Sequence, residues 1–238
     1  MRPDGGVPVL PAPAQEPLRP PVAPAPKTIP VEGTAFTNSI GLRMIWIKGI
    51  SGWVDACELT QGAYEKITAV NPSTHRGSSD LPVDSVSWTE ANRFCQKLTE
   101  TEARGGFLPD GFVYRLPSDQ DWTIFSKGTN RSMAVFSSPS LKRTKPLRGG
   151  TLPPNPQGVY DTLGNIYEWC LDDFDRTMNS ASHNAAMSGL AATGKVVRGG
   201  SFQSTSFVTQ SLDFRASDRV SERHHTVGFR VVLAKPLR

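Results

Sequence analysis

Glycine and proline interrupt this chain so often that its helices and strands are expected to be short. The 238 residues include 21 glycines and 20 prolines, and apolar residues make up 37% of the chain. Long runs of like charge are absent from the sequence. Together these features predict a loop-rich soluble protein with a real core, and they argue against a disordered or fibrous chain.

The first thirty residues differ in composition from the rest. Proline alternates there with Ala, Val and Leu, and no periodic apolar face is present. Because such a composition favours extended polyproline II conformers, we predict a disordered linker over residues 1–33 and one globular domain over residues 34–238. The linker is expected to be a passive spacer, with a ligand for a proline-binding module as the alternative.

The domain is predicted to begin with two strands and two capped helices. Residues 42–47 and 52–59 have strand-like patterns, and Thr60 is placed to cap the helix that follows them. Ser87 and Glu90 form a capping box, after which apolar residues recur at helical spacing. We therefore expect a second helix directly after Ser87, with its apolar side turned inward.

The second half of the domain has fewer clear signals. Ser118 and Asp121 form another capping box that begins a short helix. Residues 127–156 are rich in Ser, Pro and Gly, so we predict no regular structure there. The closing strands of a small sheet are predicted where β-branched or aromatic residues gather, at residues 196–198, 212–215 and 227–233.

Charge and cysteine content limit the partners of this chain. The formal net charge of +4 is small and the basic residues are scattered, so we expect no nucleic-acid partner. Cys57, Cys95 and Cys170 form no CxxC pair, which indicates reduced structural thiols instead of a disulfide scaffold. No run of about 18 apolar residues and no signal peptide is visible, so we expect a soluble monomer without a transmembrane segment.

A series of short motifs follows one order along most of residues 40–234. They are DACELTQGAY at 55–64, LPVDSVSW at 81–88, YRLPSDQDW at 114–122, NPQGVYDTLGNIYEW at 155–169, VRGGSF at 197–202 and GFRV at 228–231. Taken together, these motifs resemble those of the formylglycine-generating enzyme (sulfatase-modifying factor) family. The resemblance implies a variant of the C-type lectin fold, a loop-rich α+β single domain with little regular secondary structure.

The oxidase chemistry that the resemblance implies depends on two cysteines, and this sequence has no cysteine at the corresponding positions. Members that make formylglycine oxidise a substrate cysteine with copper held by two cysteine thiolates after the R-G-G-S motif. Here those positions fall on Ser204 and near Thr209, and residues 201–219 contain no cysteine. Because a hydroxyl is a poor ligand for Cu(I), we expect neither copper nor a catalytic residue, and the chain is predicted not to be an enzyme.

A metal of another kind is implied at the turn between two carboxylates. The resemblance implies a structural calcium ion at this turn. Its ligands would be the side chains of Asp161 and Glu168 and the backbone carbonyls of Gly164 and Ile166. Oxygen donors of this kind suit calcium. The alternative is that Asp161 caps a turn and Glu168 pairs with an arginine such as Arg198 or Arg230.

The segment after the R-G-G-S motif is predicted to be a binding surface. It is dense in Ser, Thr, Gln, Arg and His, with isolated phenylalanines, a mixture suited to hydrogen bonding around aromatic anchors. The alternative is ordinary loop structure with Phe207 and Phe214 in the core. The candidate ligand-binding residues are Phe202, Gln203, Ser204, Thr205, Thr209, Arg223, His224 and His225.

The histidines of the sequence show no metal-ligand spacing. They are His75, His183, His224 and His225. The adjacent last pair is expected to point to opposite sides of a strand, so that the two rings cannot bind one metal together.

Three functions are compatible with these observations. The first is a non-catalytic binding or display module for a protein, peptide or glycan. The second is a copper-dependent oxidase that converts a sulfatase cysteine to formylglycine, against which the missing cysteines argue. The third is a regulatory domain of a larger protein such as a bacterial kinase.

Overall fold

The computed structural model describes residues 29–138, 140–174, 194–207 and 209–237. Within these ranges the chain forms nine strands, three α-helices and one short 3-10 helix at Arg131–Met133. No helix in the same ranges is both long and apolar enough to cross a membrane. Residues 1–28 of the predicted linker lie outside the described ranges, as does His183.

The larger sheet is antiparallel and joins the two ends of the domain. In spatial order its five strands are β1 (Phe36–Thr37), β2 (Arg43–Ile47), β3 (Gly52–Asp55), β9 (Val232–Ala234) and β4 (Val113–Arg115). Trp53 on β3 lies opposite Trp46 on one side and Leu233 on the other. The last strand of the chain therefore lies in the interior of this sheet.

The smaller sheet carries the segments around the candidate site. In spatial order its four strands are β7 (Arg215–Asp218), β6 (Lys195–Arg198), β5 (Tyr167–Asp173) and β8 (Val227–Gly228). Strand β5 pairs antiparallel with β6 and parallel with β8. Glu168 on β5 lies opposite both Arg198 and Gly228, so its side chain is fixed in the middle of the sheet.

The three predicted helix caps are confirmed. Helices α1 (Gln61–Thr68), α2 (Trp88–Gly105) and α3 (Asp119–Phe125) begin directly after them. The Thr60 side chain accepts a hydrogen bond from a backbone N–H of the first turn of α1. Ser87 and Ser118 each form a reciprocal capping box with the acidic residue three positions later, which satisfies two backbone donors at each helix start.

Several strand predictions are corrected. The strand predicted over 52–59 ends at Asp55, the one over 212–215 begins instead at Arg215, and β5 was not predicted. The strand predicted over 227–233 is two strands, β8 and β9. The break has a clear cause, because β8 belongs to the smaller sheet and β9 to the larger one. Residues 229–231 carry the chain from one sheet to the other.

The core lies between these sheets and the helices. Trp53, Trp122 and Trp169 are fully buried. The indole N–H of Trp169 donates to the carbonyl of Val86 at 2.8 Å, so the buried ring keeps its hydrogen bond. Cys95 is buried on the inner side of α2, as its position in the helical pattern predicts.

Candidate functional site

Two consecutive glycines set the course of the loop after β6. Gly199 and Gly200 have φ angles of 90° and 78°, in the left-handed region that favours glycine. A Cβ atom on Gly200 would lie 2.6 Å from the carbonyl oxygen of Thr209. Thr209 therefore lies back against the start of the loop, and no larger residue fits at Gly200.

Ser204 and Thr209 stand at the positions where the resemblance places copper-binding cysteines. Ser204 is buried, and its Oγ accepts a hydrogen bond from the Ser201 N–H at 3.0 Å. The Thr209 hydroxyl donates to the Ser206 carbonyl at 3.1 Å. Both hydroxyl groups hold the backbone of the loop. The Ser204 side chain lies in the interior and not on the surface, and its contact with a ligand stays a prediction.

Side-chain hydrogen bonds connect the loop to the segment at residues 127–156. Gln210 is buried, and its Nε2 donates to the Ser204 carbonyl at 2.8 Å while its Oε1 accepts from Arg131. The Ser137 hydroxyl donates to the Phe202 carbonyl at 2.9 Å. The segment predicted to be irregular over 127–156 thus supports the loop through Arg131 and Ser137, a role that no sequence pattern indicated.

The phenylalanines of the segment separate into interior and surface residues. Phe202 and Phe214 are fully buried, whereas Phe207 is 82% exposed. Phe202 packs with Val135 in a small apolar cluster, and its contact with a ligand stays a prediction. Phe207 was expected in the core under the alternative, and that placement is wrong. The guanidinium of Arg131 lies 4.9 Å from the Phe207 ring centre.

The other candidate residues are exposed or half-buried. Those with clearly exposed side chains are Gln203, Thr205, Arg223 and His225, and those half-buried are Thr209 and His224. Arg223 forms a bidentate salt bridge with Glu90, in which Nε donates to Oε2 at 2.8 Å and Nη2 to Oε1 at 2.6 Å. His224 and His225 lie in the turn before β8 and not in a strand, and the His224 ring pairs with Asp218 at 2.8 Å. We call residues 203–207, 209 and 223–225 the loop face.

A buried ion pair lies at the centre of the domain. Arg230 is fully buried and points at Glu168, whose Oε1 accepts from Nη2 at 2.6 Å and whose Oε2 accepts from Nε at 3.0 Å. The same guanidinium donates to the carbonyls of Asp55 and Tyr160 at 2.9 and 2.8 Å. The Trp122 indole donates to Glu168 Oε2 at 3.2 Å. Every donor nitrogen of Arg230 is therefore used, as a buried charge requires.

A second buried carboxylate, Glu58, supports the turn before β5. Its Oε1 accepts from the Ile166 N–H at 3.0 Å, and its Oε2 accepts from the Asn165 side chain. Burial and the neighbouring carboxylates raise the pKa of Glu58 well above its usual range. Ile166 therefore contributes its backbone N–H, as a donor to Glu58. Glu58 was not among the predicted site residues. We call Glu58, Asn165, Glu168 and Arg230 the ion-pair centre.

Asp161 lies beside this centre in a strained backbone conformation. Its φ is 54°, which is uncommon for a residue other than glycine. Its Oδ2 accepts a hydrogen bond from the Gly150 N–H at 2.7 Å, while Oδ1 is buried and has no hydrogen-bond partner among the described residues. Burial raises the pKa of Asp161 to about 6.

The contacts of Glu168 do not fit a calcium ligand. Both of its oxygens face the guanidinium of Arg230, and a second cation at the same carboxylate would be repelled by that charge. In the described ranges no group of three or more His, Cys, Asp and Glu side chains is arranged to hold a metal ion. The arrangement fits the alternative in which Glu168 pairs with Arg230. Calcium at Asp161, Gly164, Ile166 and Glu168 stays a prediction.

The three cysteines are not placed for thiolate chemistry. Cys95 and Cys170 are buried, and burial raises the pKa of both thiols well above the usual range. Burial also raises the pKa of the half-buried Cys57 to about 12. Because the thiolate is the form that binds metals and attacks substrates, none of the three is poised to do either near neutral pH.

A cleft of about 590 Å³ opens on the side of Cys57. Its walls include Arg43, Lys66 and Tyr160, and Asp55 and Cys57 line it as well. Burial raises the pKa of Asp55 to about 7, while the Arg230 charge acts in the opposite direction. The cleft was not predicted from the sequence, because its walls come from segments far apart in the chain.

Solved structures with the same architecture define the class of this fold. Treponema denticola variable protein 1 is 21% identical, with a TM-score of 0.62 over 88% of this chain and 94% of that one. PvdO from Pseudomonas aeruginosa is 17% identical, with a TM-score of 0.64 over 86% of this chain and 99% of that one. The domain is a loop-rich α+β variant of the C-type lectin fold, as predicted.

The family follows from a match over nearly the whole domain. Residues 27–143 and 134–235 match the sulfatase-modifying factor enzyme 1-like domain, and the chain belongs to this family. The serine/threonine-protein kinases pkn1 of Chlamydia pneumoniae and Chlamydia caviae are 28% and 35% identical over 141 and 143 residues. Each match covers 54% of this chain and 20% of the kinase, so the chain spans about a fifth of those relatives.

Proposed function

We propose that this chain is a non-catalytic binding domain that recognises a protein or peptide through its loop face. The observation that carries the proposal is the ring of Phe207, which is 82% exposed in the segment after the R-G-G-S motif. Burying a phenylalanine side chain is worth roughly 1.5–3 kcal/mol, and folding does not recover this for Phe207. Contact with a partner would recover it.

The surroundings of Phe207 suit recognition of a polypeptide. Arg131 lies against the ring, and aromatic and arginine side chains are the types most enriched at interface hot spots. Gln203, Thr205 and Ser206 are exposed nearby in the chain and offer hydrogen-bond donors and acceptors. This combination favours a protein or peptide over a glycan, the other ligand class that the sequence allows.

The loop is built so that binding costs little conformational entropy. Gln210 and Ser137 fix its backbone from beneath, and the Ser204 hydroxyl closes its first turn. A surface that is ordered before its partner arrives loses less freedom on association. The hydroxyl groups at the two positions of the family cysteines thus support a rigid binding loop.

A regulatory role within a larger protein is the second candidate. It is favoured by the similarity to the two pkn1 kinases, in which a matching region makes up a fifth of the length. The proline-rich residues 1–28 would suit a tether between such a domain and another part of a protein. In this role the loop face would still be the part that recognises a partner.

The proposal is tested by selecting peptides against the domain and comparing three proteins. Peptides from a random displayed library, selected on the wild type, would be titrated against wild type, Phe207→Ala and Val70→Ala. Val70 is 56% exposed and lies outside the loop face, which makes it a matched control. We expect Phe207→Ala to weaken binding by roughly tenfold or more and Val70→Ala to leave it unchanged. Equal affinity for all three proteins would contradict the proposal.

The oxidase alternative is tested separately. The wild type would be incubated with copper and a sulfatase-derived cysteine peptide, and formylglycine would be measured by mass spectrometry. We expect no conversion, because Ser204 and Thr209 cannot supply two thiolates. Turnover by the wild type would overturn the non-catalytic proposal whatever the binding results.

A further inference from the structure

Two histidines from distant parts of the chain lie side by side next to the loop face. His75 follows α1 and His225 lies in the turn before β8, and their ring centres are 5.5 Å apart with the planes tilted by 51°. The His75 ring also meets the edge of Phe202 at 5.3 Å between centres. The sequence analysis predicted no partner for His75, so this pairing results from the tertiary structure.

A buried carboxylate orients the His75 ring. Asp84 is fully buried, and its Oδ2 lies 3.1 Å from His75 Nδ1 and accepts from the His75 N–H at 3.2 Å. Its Oδ1 accepts from the Thr74 N–H at 2.8 Å and from the Ser85 hydroxyl at 2.9 Å. Because a carboxylate can only accept, this contact assigns the donor role to Nδ1 and leaves Nε2, on the opposite side of the ring, as the nitrogen that can ligate a metal. This is the support that metal-binding histidines commonly have.

The backbones that carry the two rings are fixed to each other. The Ser85 N–H donates to the His224 carbonyl at 3.0 Å, next to His225, and the Val227 N–H donates to the same carbonyl at 3.0 Å. Ser85 directly follows Asp84 and has a φ of 59°, an uncommon conformation retained here. The distance between the rings is therefore set by the fold and not by a freely moving terminus.

The spacing of the rings matches two imidazoles on one metal ion. With zinc–nitrogen bonds of about 2.0–2.1 Å and a tetrahedral angle, the centres of two ligating rings are about 5 Å apart. The observed 5.5 Å needs only a small side-chain adjustment.

We propose that His75 and His225 bind a divalent transition metal ion of the imidazole-preferring class, such as Zn²⁺, with Asp84 holding His75 in its ligating orientation. The described residues offer no third ligand in a three-membered cluster, so the remaining coordination positions are open to water. His225 is exposed, and a ligand on the loop face can supply a further donor. This is a surface site of moderate affinity and not a closed structural centre.

Zinc titration of the full chain tests the site. Isothermal titration with zinc chloride would compare wild type, His225→Ala and His224→Gln, with circular dichroism to check folding. His225 is exposed, so its substitution is expected to leave the fold intact. His224 is its chain neighbour but pairs with Asp218, which makes it the matched control. We expect zinc affinity to fall by roughly 10- to 100-fold in His225→Ala and less than about threefold in His224→Gln.

Three outcomes would overturn the inference: no zinc binding by the wild type, no loss in His225→Ala, or an equal loss in both variants. A cobalt complex gives a second reading, since its visible absorption bands report nitrogen ligands. Those bands are expected in wild type and His224→Gln and not in His225→Ala. Neither metal experiment needs a binding partner, so a negative result in them would leave the proposed peptide binding standing. Conversely, a failure to select binding peptides would not contradict the metal site.

Discussion

The ion-pair centre lies within the motifs that identify the family, the loop face lies between the last two of them, and the two regions use polar residues in opposite ways. In the ion-pair centre, each donor of Arg230 meets an oxygen of Glu168 or of a backbone carbonyl. On the loop face, Phe207 and the polar side chains around it point to solvent. The ion-pair centre closes its interactions within the chain, whereas the side chains of Phe207, Gln203 and Thr205 on the loop face are exposed.

This difference shows where the fold is stabilised. A domain with short helices and strands leaves many backbone groups in loops, and buried side chains must satisfy them. Glu58 and Arg230 do so by bonding the backbone at Ile166, Asp55 and Tyr160. Because the scaffold is held from inside, the exposed residues of the loop face can change without loss of the fold.

The largest effect is expected in the ion-pair centre. Arg230→Met would leave Glu168 as an unpaired buried charge, at a cost of roughly 3–5 kcal/mol in the free energy of unfolding. The same substitution at Arg43, which is exposed on β2, should change it by less than about 0.5 kcal/mol. Urea denaturation followed by circular dichroism measures both. Similar losses in the two variants would show that the ion pair has no special part in stability.

Two phenylalanines on the same loop test the comparison directly. Phe202→Ala would open a cavity in the cluster with Val135 and is expected to cost roughly 3–5 kcal/mol. Phe207→Ala removes a ring that is already in water, so the change should stay within about 0.5 kcal/mol. Thermal unfolding of both variants provides the measurement. If Phe207→Ala were the more destabilised variant, the loop face would be part of the core.

The pH dependence of stability is expected to report the buried Asp55. Its folded pKa is raised from 3.8 to about 7 by burial, so the folded state keeps a proton that the unfolded state has lost. Stability from this group is fully present below pH 3.8 and is lost as the pH rises through about 7. Asp55→Asn removes this loss, so the variant should gain roughly 2–3 kcal/mol relative to wild type between about pH 5 and pH 8.

Unfolding midpoints of wild type and Asp55→Asn across that pH range measure this gain. Asp110→Asn, at an exposed position, serves as the control, and its difference from wild type should not vary with pH. A constant difference for Asp55→Asn as well would mean that Asp55 titrates alike in the folded and unfolded states.

The smallest effect concerns calcium at the turn from Asp161 to Glu168. If calcium binds there, the thermal midpoint is higher with calcium than with excess chelator, and because Arg230 already neutralises Glu168 we expect this difference to be small. An unchanged midpoint would contradict the calcium prediction, whereas a large rise would place the ion next to Asp161, whose Oδ1 has no hydrogen-bond partner among the described residues.

Local signals in the sequence were reliable wherever a few neighbouring residues decide the outcome. The capping residues Thr60, Ser87 and Ser118 each begin a helix, as their hydrogen-bonding groups require. The motifs together predicted the family and the fold. Strand β5 (Tyr167–Asp173) was not predicted from the sequence. It is buried for most of its length, so it lacks the alternation of apolar and polar residues by which a half-buried strand is recognised.

Surface and interior could not be told apart from the sequence in the candidate site. Phe202 and Phe207 lie five positions apart in the same polar segment, and one is buried while the other is in water. The difference comes from residues far away in the chain, since Val135 and Ile166 cover the first ring. The pairing of His75 with His225 is of the same kind.

The sequence by itself determined the helix starts, the loop-rich α+β class and the family, because each depends on residue types and short spacings. The tertiary structure alone decided that Arg230 pairs with Glu168, that Phe207 is exposed and that two distant histidines meet. These outcomes depend on which segments are packed together across the two sheets. That packing is a balance of many weak contacts over the whole chain, and no single segment carries it.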